Sequence, residues 1–152
     1  MNNNVLQISI KQNPQLMQNI NSKIHTALET CGLQAEANAK LNITDTTRSG
    51  VNLIGYEKDN SRVDTGRMRN SVTHTVSGNT VYIGSPLEYA VYNELGTGIY
   101  ASQAGGRQSP WGYYDSKGAF HITRGMKPIH FLRNAIADHV SEYKEILETY
   151  LK

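Results

Sequence analysis

The feature that most constrains the fold is an apolar stripe at helical spacing near the start of the chain. Its members recur every three or four residues: Leu16, Ile20, Ile24, Leu28, Cys31, Ala35 and Ala39. Asn13 followed by Pro14 is a helix-start signal, because asparagine caps free backbone amides and proline suits the first helical turn. The spacing predicts a helix from Pro14 to about Ile43, ~45 Å long, whose stripe faces the core or another subunit. Gly32 leaves two alternatives open, a continuous helix or a break, because glycine costs about 1 kcal/mol relative to alanine inside a helix.

Two β-hairpins are predicted in the middle of the chain. Residues 72–76 and 80–83 are rich in β-branched residues and flank Ser77-Gly78-Asn79, which predicts a hairpin with a three-residue loop. Residues 111–116 and 119–123 face each other across Lys117 and Gly118, which predicts a second hairpin that carries several aromatic rings.

Two further helices are predicted from their start signals. Residues 85–88 read Ser-Pro-Leu-Glu, a capping box that opens a helix of about ten residues. Tyr89, Tyr92 and Leu95 share one side of that helix, and Gly96 ends it. Pro128 opens the final helix. Its single apolar seam is formed by Leu132, Ile136, Val140, Tyr143, Leu147 and Tyr150.

The order of these elements predicts an α+β fold in one domain, residues 1–152. A small antiparallel sheet of β-hairpins packs on a long N-terminal helix and a C-terminal helix. Residues 44–62 are polar and aperiodic and predict a loop, in which residues 51–54 are a candidate strand. Residues 97–110 are rich in Gly, Ser, Ala and Gln and predict a mobile loop.

Composition excludes several classes of protein. Charged residues make up 18% and apolar residues 38% of the chain, which argues against a highly charged disordered chain and against a membrane protein. Fifteen basic and thirteen acidic residues give a net charge of +2, too small for duplex DNA binding to be the main activity. The lone Cys31 cannot form an internal disulfide, which suits a reducing cytoplasm. We expect no secretion signal and no membrane span.

The sequence contains no motif that predicts catalysis, a metal or a cofactor. It lacks the Gly-x-Ser-x-Gly, Gly-x-x-x-x-Gly-Lys and His-Glu-x-x-His patterns, so we expect no enzyme. Cys31 lies on the apolar stripe, where a buried thiol is inert. His130 and His139 are about 900° apart on the predicted last helix and point to opposite sides, so they cannot share a metal. The carboxylates at positions 142, 145 and 148 share a helical face and predict a solvated surface, with room for a basic partner.

A stretch from position 116 to 137 contains cations and no acidic residue. Its cations are Lys117, Arg124, Lys127 and Arg133. Arg107, Trp111, Tyr113 and Tyr114 lie just upstream, and such a mixture of rings and cations is typical of a surface that binds single-stranded nucleic acid. The alternative is a packed hairpin face or a protein interface, where Trp, Tyr and Arg are enriched.

The most informative stretch is Val-Asp-Thr-Gly-Arg-Met-Arg-Asn-Ser-Val at positions 63–72. Asp64 or Thr65 can cap a short turn, and Gly66 allows the backbone to reverse. Arg67 and Arg69 then project as a pair able to bind carboxylates of a neighbour. The alternative is a capped turn with solvated arginines.

Three blocks of the sequence, taken in order, resemble the neck family of tailed bacteriophages, the head–tail joining or tail-completion proteins. They are residues 63–72, residues 84–98 (Gly-Ser-Pro-Leu-Glu-Tyr-Ala-Val-Tyr-Asn-Glu-Leu-Gly-Thr-Gly) and residues 125–135 (Gly-Met-Lys-Pro-Ile-His-Phe-Leu-Arg-Asn-Ala). Their positions relative to the hairpin and the last helix match as well. The chain departs from the family pattern in its longer, polar segment 44–62 and at Met68 and His130.

The resemblance implies a non-enzymatic virion protein without cofactor or metal. It implies a homo-oligomeric ring, sixfold to match the tail, between the head connector and the tail tube or terminator, with genomic DNA passing through unbound. It places the protein in the virion neck and, during assembly, in the host cytoplasm. The family-motif residues implied as subunit contacts are Asp64, Thr65, Gly66, Arg67, Arg69, Tyr89, Tyr92, Glu94, Gly96, Thr97, Gly98, Pro128 and Phe131. A candidate partner-contact loop carries Arg107, Trp111, Tyr113 and Tyr114. The alternative function is a nucleic-acid-binding module formed by residues 107–133.

Overall fold

The computed structural model describes residues 11, 13–51, 61–115 and 117–152, which form the predicted α+β fold. The helices are α1 (Pro14–Thr44), α2 (Arg67–Ser71), α3 (Ala90–Leu95), α4 (Phe131–Ala137) and α5 (Val140–Leu151). The strands are β1 (Thr73–Ser77), β2 (Thr80–Gly84), β3 (Trp111–Tyr114) and β4 (Phe120–Thr123), and 3-10 turns cover Thr46–Ser49 and Gly98–Tyr100. Among the described residues, no helix is long and apolar enough to cross a membrane.

Helix α1 starts and ends where its sequence predicts. The Asn13 side chain accepts hydrogen bonds from the backbone amides of Gln15 and Leu16, at 3.0 and 3.2 Å. The helix runs through Gly32 without a break. Burial begins only at Ala27, so the first half of the stripe is exposed; Leu16, for example, is 55% accessible. The second half of the stripe forms the floor of the core.

The core lies where α1, α2 and α4 meet. Its buried members are Ala39, Ile43, Met68, Val72, Ala90, Ile129, Phe131 and Ala135. Asn42 is buried among them and donates a hydrogen bond from Nδ2 to the backbone oxygen of Phe131, 3.2 Å away. Met68, where the family pattern favours leucine, fills the same apolar environment. All three sequence blocks therefore contribute to one core.

Gly32 is explained by a side chain that crosses the helix. A Cβ built on Gly32 would lie 2.8 Å from both Cγ and Nε2 of His74, and closer still to Cδ2. The imidazole of His74, on β1, therefore lies directly on the α1 backbone. Its Nδ1 is 2.9 Å from Glu36 Oε2 and its Nε2 is 3.2 Å from Glu29 Oε2, both on α1. These two contacts fasten the first hairpin to the helix.

Both predicted hairpins form, and each is a separate two-stranded antiparallel sheet. The β1–β2 hairpin packs on α1, whereas β3 and β4 contact chiefly each other. Ser77 pairs with Thr80, so the first loop has two residues, Gly78 and Asn79, instead of the predicted three. Gly78 has φ 58° while Asn79 has negative φ, the pattern of a type II′ turn, whose twist matches the strands.

The later helices are shorter than their sequence predicts. Helix α3 begins at Ala90, because Ser85 Oγ accepts from the Leu87 amide in a turn that precedes the helix instead of capping it. The C-terminal segment forms two helices, interrupted at residues 138–139, instead of one that starts at Pro128. Tyr143 spans the interruption, since its hydroxyl donates to the Ala135 carbonyl at 2.6 Å. Both helices can thus pack along α1.

The two predicted loops contain local structure. Asp45 Oδ1 accepts from the Thr47 amide at 3.0 Å and starts the Thr46–Ser49 turn, within the segment 44–62. Most of the candidate strand 51–54 lies outside the described residues. Within the segment 97–110, the Gly98–Tyr100 turn is hydrogen-bonded to residues 124–126, which differs from the free loop that its composition predicts. The mobility of the remaining residues stays a prediction.

Candidate assembly surface

The turn before α2 forms as its sequence predicts. Thr65 Oγ1 accepts from the Arg67 amide at 3.3 Å, and Gly66 has φ 78°, a left-handed conformation that favours glycine. Arg67 is exposed, and the Arg69 guanidinium lies over Gly66, since a Cβ there would be 3.7 Å from Arg69 Nη2. The exposed Asp64 precedes this turn.

This turn and α3 enclose a cleft of about 200 Å³ that is rich in positive charge. Its charged lining residues are Arg62, Arg67, Arg69 and a single carboxylate, Asp64, and α3 contributes Asn93 beside Tyr89. No carboxylate in the described part of the chain forms an ion pair with Arg67 or Arg69. Guanidinium groups bind carboxylates through two parallel hydrogen bonds, so the cleft suits an acidic side chain of another molecule.

The second and third sequence blocks bind each other within the chain. Thr97 donates its backbone amide to the Met126 carbonyl and accepts from the Met126 amide through Oγ1, both at 2.9 Å. Gly98 has φ 61°, and a Cβ on it would be 2.7 Å from the Arg124 carbonyl carbon and closer to its oxygen. A Cβ on Gly96 would be 2.7 Å from Pro128 Cδ. These glycines allow the two backbones to touch.

Glu94 caps α4 from a different element. Its Oε2 accepts from the Leu132 amide at 2.8 Å and its Oε1 from the Arg133 amide at 3.1 Å. The residue before α4, His130, has φ 46° and makes no side-chain cap, so the carboxylate supplies what the local sequence lacks.

Several family-motif residues make contacts within the chain. The resemblance implies that Glu94, Gly96, Thr97, Gly98, Pro128 and Phe131 contact other subunits. Phe131 is fully buried, Gly96 and Gly98 are buried, and the polar groups of Glu94 and Thr97 are bound within the chain. Glu94, Thr97 and Phe131 therefore contribute to the fold, and a role of the motif residues in subunit contacts stays a prediction. The motif residues that are exposed are Asp64, Thr65, Arg67, Tyr89 and Tyr92.

Helix α3 presents an exposed apolar face. Tyr89, which precedes the helix, and Val91 and Tyr92 within it are 40, 48 and 54% accessible. Clefts of about 680 and 340 Å³ lie beside the helix, and Val91, Tyr92 and Leu95 line both. The face is thus a ridge between two grooves, a shape that can interlock with another surface.

The second hairpin, which we call the aromatic arm (residues 111–123), exposes a wholly apolar face. Tyr114, Phe120 and Ile122 lie on this face and are 72, 57 and 73% accessible. Gly112 is the fourth residue of this face, and the Phe120 ring covers it, since a Cβ on Gly112 would be 2.6 Å from Phe120 Cε2. Such a contiguous apolar face is uncommon on a monomeric protein and marks interaction sites.

The other face of the arm pairs its rings within the chain. The guanidinium of Arg107 lies 5.4 Å from the centre of the Trp111 ring, and Tyr113 stacks on His121 with ring centres 5.3 Å apart. Asp115 accepts from His121 Nε2 at 2.9 Å, and this hydrogen bond is the main cause of the lowered pKa of Asp115. The structure thus brings together the four predicted partner-contact residues, with Tyr114 on the opposite face from Trp111 and Tyr113.

A groove between α1 and α5, which we call the acidic groove, was not predicted. Its volume is about 390 Å³, and its lining residues are Gln34, Glu142, Glu145, Ile146, Thr149 and Tyr150. Glu142 accepts from His139 Nδ1 at 2.7 Å, which lowers the pKa of the carboxyl. The spacing of Glu142, Glu145 and Thr149 in the sequence places them on one helical face. That this face is the wall of a groove follows only from the packing of α5 on α1.

In the described ranges, no three metal-binding side chains cluster. Cys31 is buried as predicted, with its Sγ 3.8 Å from the Tyr143 carbonyl oxygen, and burial raises the pKa of the thiol. A thiol in this setting is a weak nucleophile.

Comparison with known proteins adds no second line of evidence. No family model matches the chain, and neither a curated protein nor a solved structure matches it. The resemblance to phage neck proteins therefore depends on the three sequence blocks alone.

Proposed function

We propose that this protein is a structural component of a tailed-bacteriophage virion, with no enzymatic activity. It forms a homo-oligomeric ring at the neck, sixfold like the tail, between the head connector and the tail tube or terminator. The ring assembles in the host cytoplasm, and genomic DNA passes through it without specific binding. The three sequence blocks that resemble neck proteins suggest this function, and the uncovered apolar surface of the aromatic arm and α3 is the observation that carries it.

The exposed apolar surface supports assembly on energetic grounds. A two-stranded hairpin alone is marginally stable in water, yet the arm turns Tyr114, Phe120 and Ile122 toward solvent. Burial of apolar surface contributes about 25 cal/mol per Å², so the arm gains stability from a partner that covers it. A ring subunit needs exposed surfaces that its neighbours cover, and the arm and the α3 ridge are two such surfaces.

The bonds between the second and third blocks support the same proposal. They fasten residues 96–99 to residues 124–128, which lie between α3 and α4 and lead directly from the arm. The root of the arm is thus held at a defined angle to α3. Interfaces built on fixed elements lose less conformational entropy when they form.

The state of assembly tests this proposal. The purified protein is examined alone and with the connector and tail proteins of the same virus, by mass photometry and negative-stain electron microscopy. We expect a discrete sixfold or twelvefold species that appears or grows with the partners. A strictly monomeric state in their presence would overturn the proposal.

A pair of exposed tyrosines provides a matched test of the α3 ridge. Tyr92 on α3 and Tyr82 on β2 are similarly accessible, at 54 and 57%. Tyr92→Asp is expected to prevent ring formation, because a carboxylate cannot be buried unpaired, whereas Tyr82→Asp leaves it intact. Unchanged thermal unfolding of both monomers confirms that the loss concerns assembly. Equal effects of the two substitutions would contradict the role of α3.

A nucleic-acid-binding module is the second candidate function, favoured by the exposed Tyr114 ring beside the cations of residues 107–133. Two of the other rings are occupied within the chain, Trp111 by Arg107 and Tyr113 by His121, which leaves fewer faces for bases to stack on. Fluorescence anisotropy with a single-stranded oligonucleotide separates the two functions. Tight binding that falls steeply with salt, and disappears in Tyr114→Ala, would favour the nucleic-acid module.

A further inference from the structure

The structure points to a specific interlock between copies of this chain. We infer that the aromatic arm of one copy docks into the acidic groove of the next copy. The inference rests on the proposed function and names the partner of the arm, a second copy of the same protein. Each copy then donates one arm and receives one, which is a heterologous interface of the kind that closes into a ring.

The first argument is that the apolar face of the arm is more exposed than that of the β1–β2 hairpin, which packs on α1. In β1–β2, the residues of one face, including Val76, Val81 and Ile83, are half-buried against α1, and the opposite face carries threonines, Ser77 and Tyr82. In the arm, the face formed by Tyr114, Phe120 and Ile122 is exposed, and no helix of the described residues packs on it as α1 packs on β1–β2. This apolar face is therefore open to a surface of a second copy.

The second argument is charge. Lys117 at the tip of the arm and Arg124 at its base are exposed. The carboxylate of Asp115 is engaged by His121 Nε2 and by the backbone amides of the turn, each at 2.9 Å. The arm therefore presents cations beside its apolar face.

The acidic groove has the complementary composition. Glu142 and Glu145 lie on its wall, and Ile146 and Tyr150 supply apolar surface. Glu145 is exposed and forms no ion pair within the described part of the chain. Glu142 is already hydrogen-bonded by His139 and Gln34, so Glu145 is the carboxylate that the groove offers to a cation of the arm.

The groove is also accessible to a second copy. Its lining comes from α1 and α5. The volume of about 390 Å³ lies within the range of pockets that accept several side-chain-sized groups. Tyr114 and Phe120 can therefore enter together, with Lys117 placed toward the carboxylates.

Disulfide cross-linking tests this pairing. Ala119→Cys on the arm, next to Phe120, and Thr149→Cys in the groove are combined in one chain; both parent residues are exposed, and Cys31 is buried. Under mild oxidation we expect a covalent ladder of subunits on a non-reducing gel. The control combines Ala119→Cys with Thr80→Cys, an exposed threonine on β2, and is expected to run as a monomer on the same gel.

Charge reversal provides a second, independent test. Lys117→Glu and Glu145→Lys are each expected to weaken assembly about tenfold, the effect of roughly 1.4 kcal/mol. The double variant restores the opposite charges and is expected to assemble within about threefold of the unmodified protein. Lys117 and Glu145 are both exposed in the monomer, so we expect its thermal unfolding to be unchanged by either substitution.

The outcomes separate this inference from the proposed function. If rings form but the Ala119→Cys, Thr149→Cys chain gives no ladder, or the Thr80→Cys control gives an equal one, the inference is overturned and the proposed function stands. If the double charge variant is weaker than either single variant, the pairing is also wrong. If neither the unmodified protein nor the cysteine variant associates with or without the neck partners, both are overturned.

Discussion

Replacing Gly32 by alanine is expected to destabilise this protein, although the same change stabilises most helices. Alanine is favoured over glycine inside a helix by about 1 kcal/mol. Here, however, the new Cβ would lie 2.8 Å from two atoms of the His74 ring, well inside normal contact distance. The ring must therefore move away from α1.

The cost of that movement follows from what holds the ring. His74 lies between Glu36 at 2.9 Å and Glu29 at 3.2 Å, and its side chain is only 10% accessible. Overpacking costs about 1–3 kcal/mol, and weakening a hydrogen bond to a charged group adds roughly 1 kcal/mol, discounted because Glu29 is partly solvated. Subtracting the helical gain of about 1 kcal/mol leaves a net loss of about 1–3 kcal/mol, or a fall in Tm of about 2–12 °C.

The double variant provides the decisive control. Removing the ring with His74→Ala vacates the space above Gly32, so Gly32→Ala in that background is expected to be stabilising by about 0.5–1 kcal/mol. Urea unfolding followed by circular dichroism at pH 5.5 measures all four proteins. The reasoning is refuted if Gly32→Ala raises the unfolding free energy by the same amount whether or not His74 is present.

Three further predictions concern the same framework. The hydrogen bonds with Glu36, first, and with Glu29 raise the pKa of His74 above 6.5. The pKa of Glu36 is lowered from 4.5, chiefly by the hydrogen bond with Lys40 and then by the one with His74. The His74 contribution is complete below pH 6.5 and is lost as pH rises through the folded-state pKa, and the Glu36 contribution is lost as pH falls below 4.5. In a pH series of urea titrations, the loss of unfolding free energy that His74→Ala causes should therefore be largest between pH 4.5 and pH 6.5. Glu94→Ala is expected to cost about 1–2 kcal/mol, because two α4 amides lose their acceptor, and Glu94→Gln less; thermal unfolding compares them. Gly98→Ala is expected to cost about 2–4 kcal/mol by clash with a backbone carbonyl and should expose residues 96–99 to hydrogen exchange, whereas Gly105→Ala, with open space around its Cβ position, keeps them protected.

Local patterns of the sequence predict the helices and turns that depend on neighbouring residues. The cap at Asn13, the turn at Gly66 and the two hairpins are each formed by groups a few residues apart. Such interactions leave a direct trace in spacing and residue type. The same reasoning places Cys31 in a buried position on the apolar stripe.

Contacts between distant segments could not be predicted in the same way. The capping box at Ser85 is bypassed by the turn before α3, and the C-terminal apolar seam continues across a break at residues 138–139. The arm has aromatic residues typical of a packed hairpin, yet nothing in its own residues reveals that Tyr114, Phe120 and Ile122 stay exposed. Periodicity records which side of an element is apolar, not what lies against it.

The sequence by itself therefore determined an α+β chain with one long capped helix, two hairpins and a pair of arginines after a glycine turn. Only the tertiary structure decided that Gly32 serves His74, that Glu94 caps a helix 38 residues further along, and which tyrosines remain exposed. The physical reason is that backbone capping and side-chain periodicity act over one or two turns. Close packing, in contrast, depends on atoms brought together from far apart in the chain, and those distances are set only when the whole core forms.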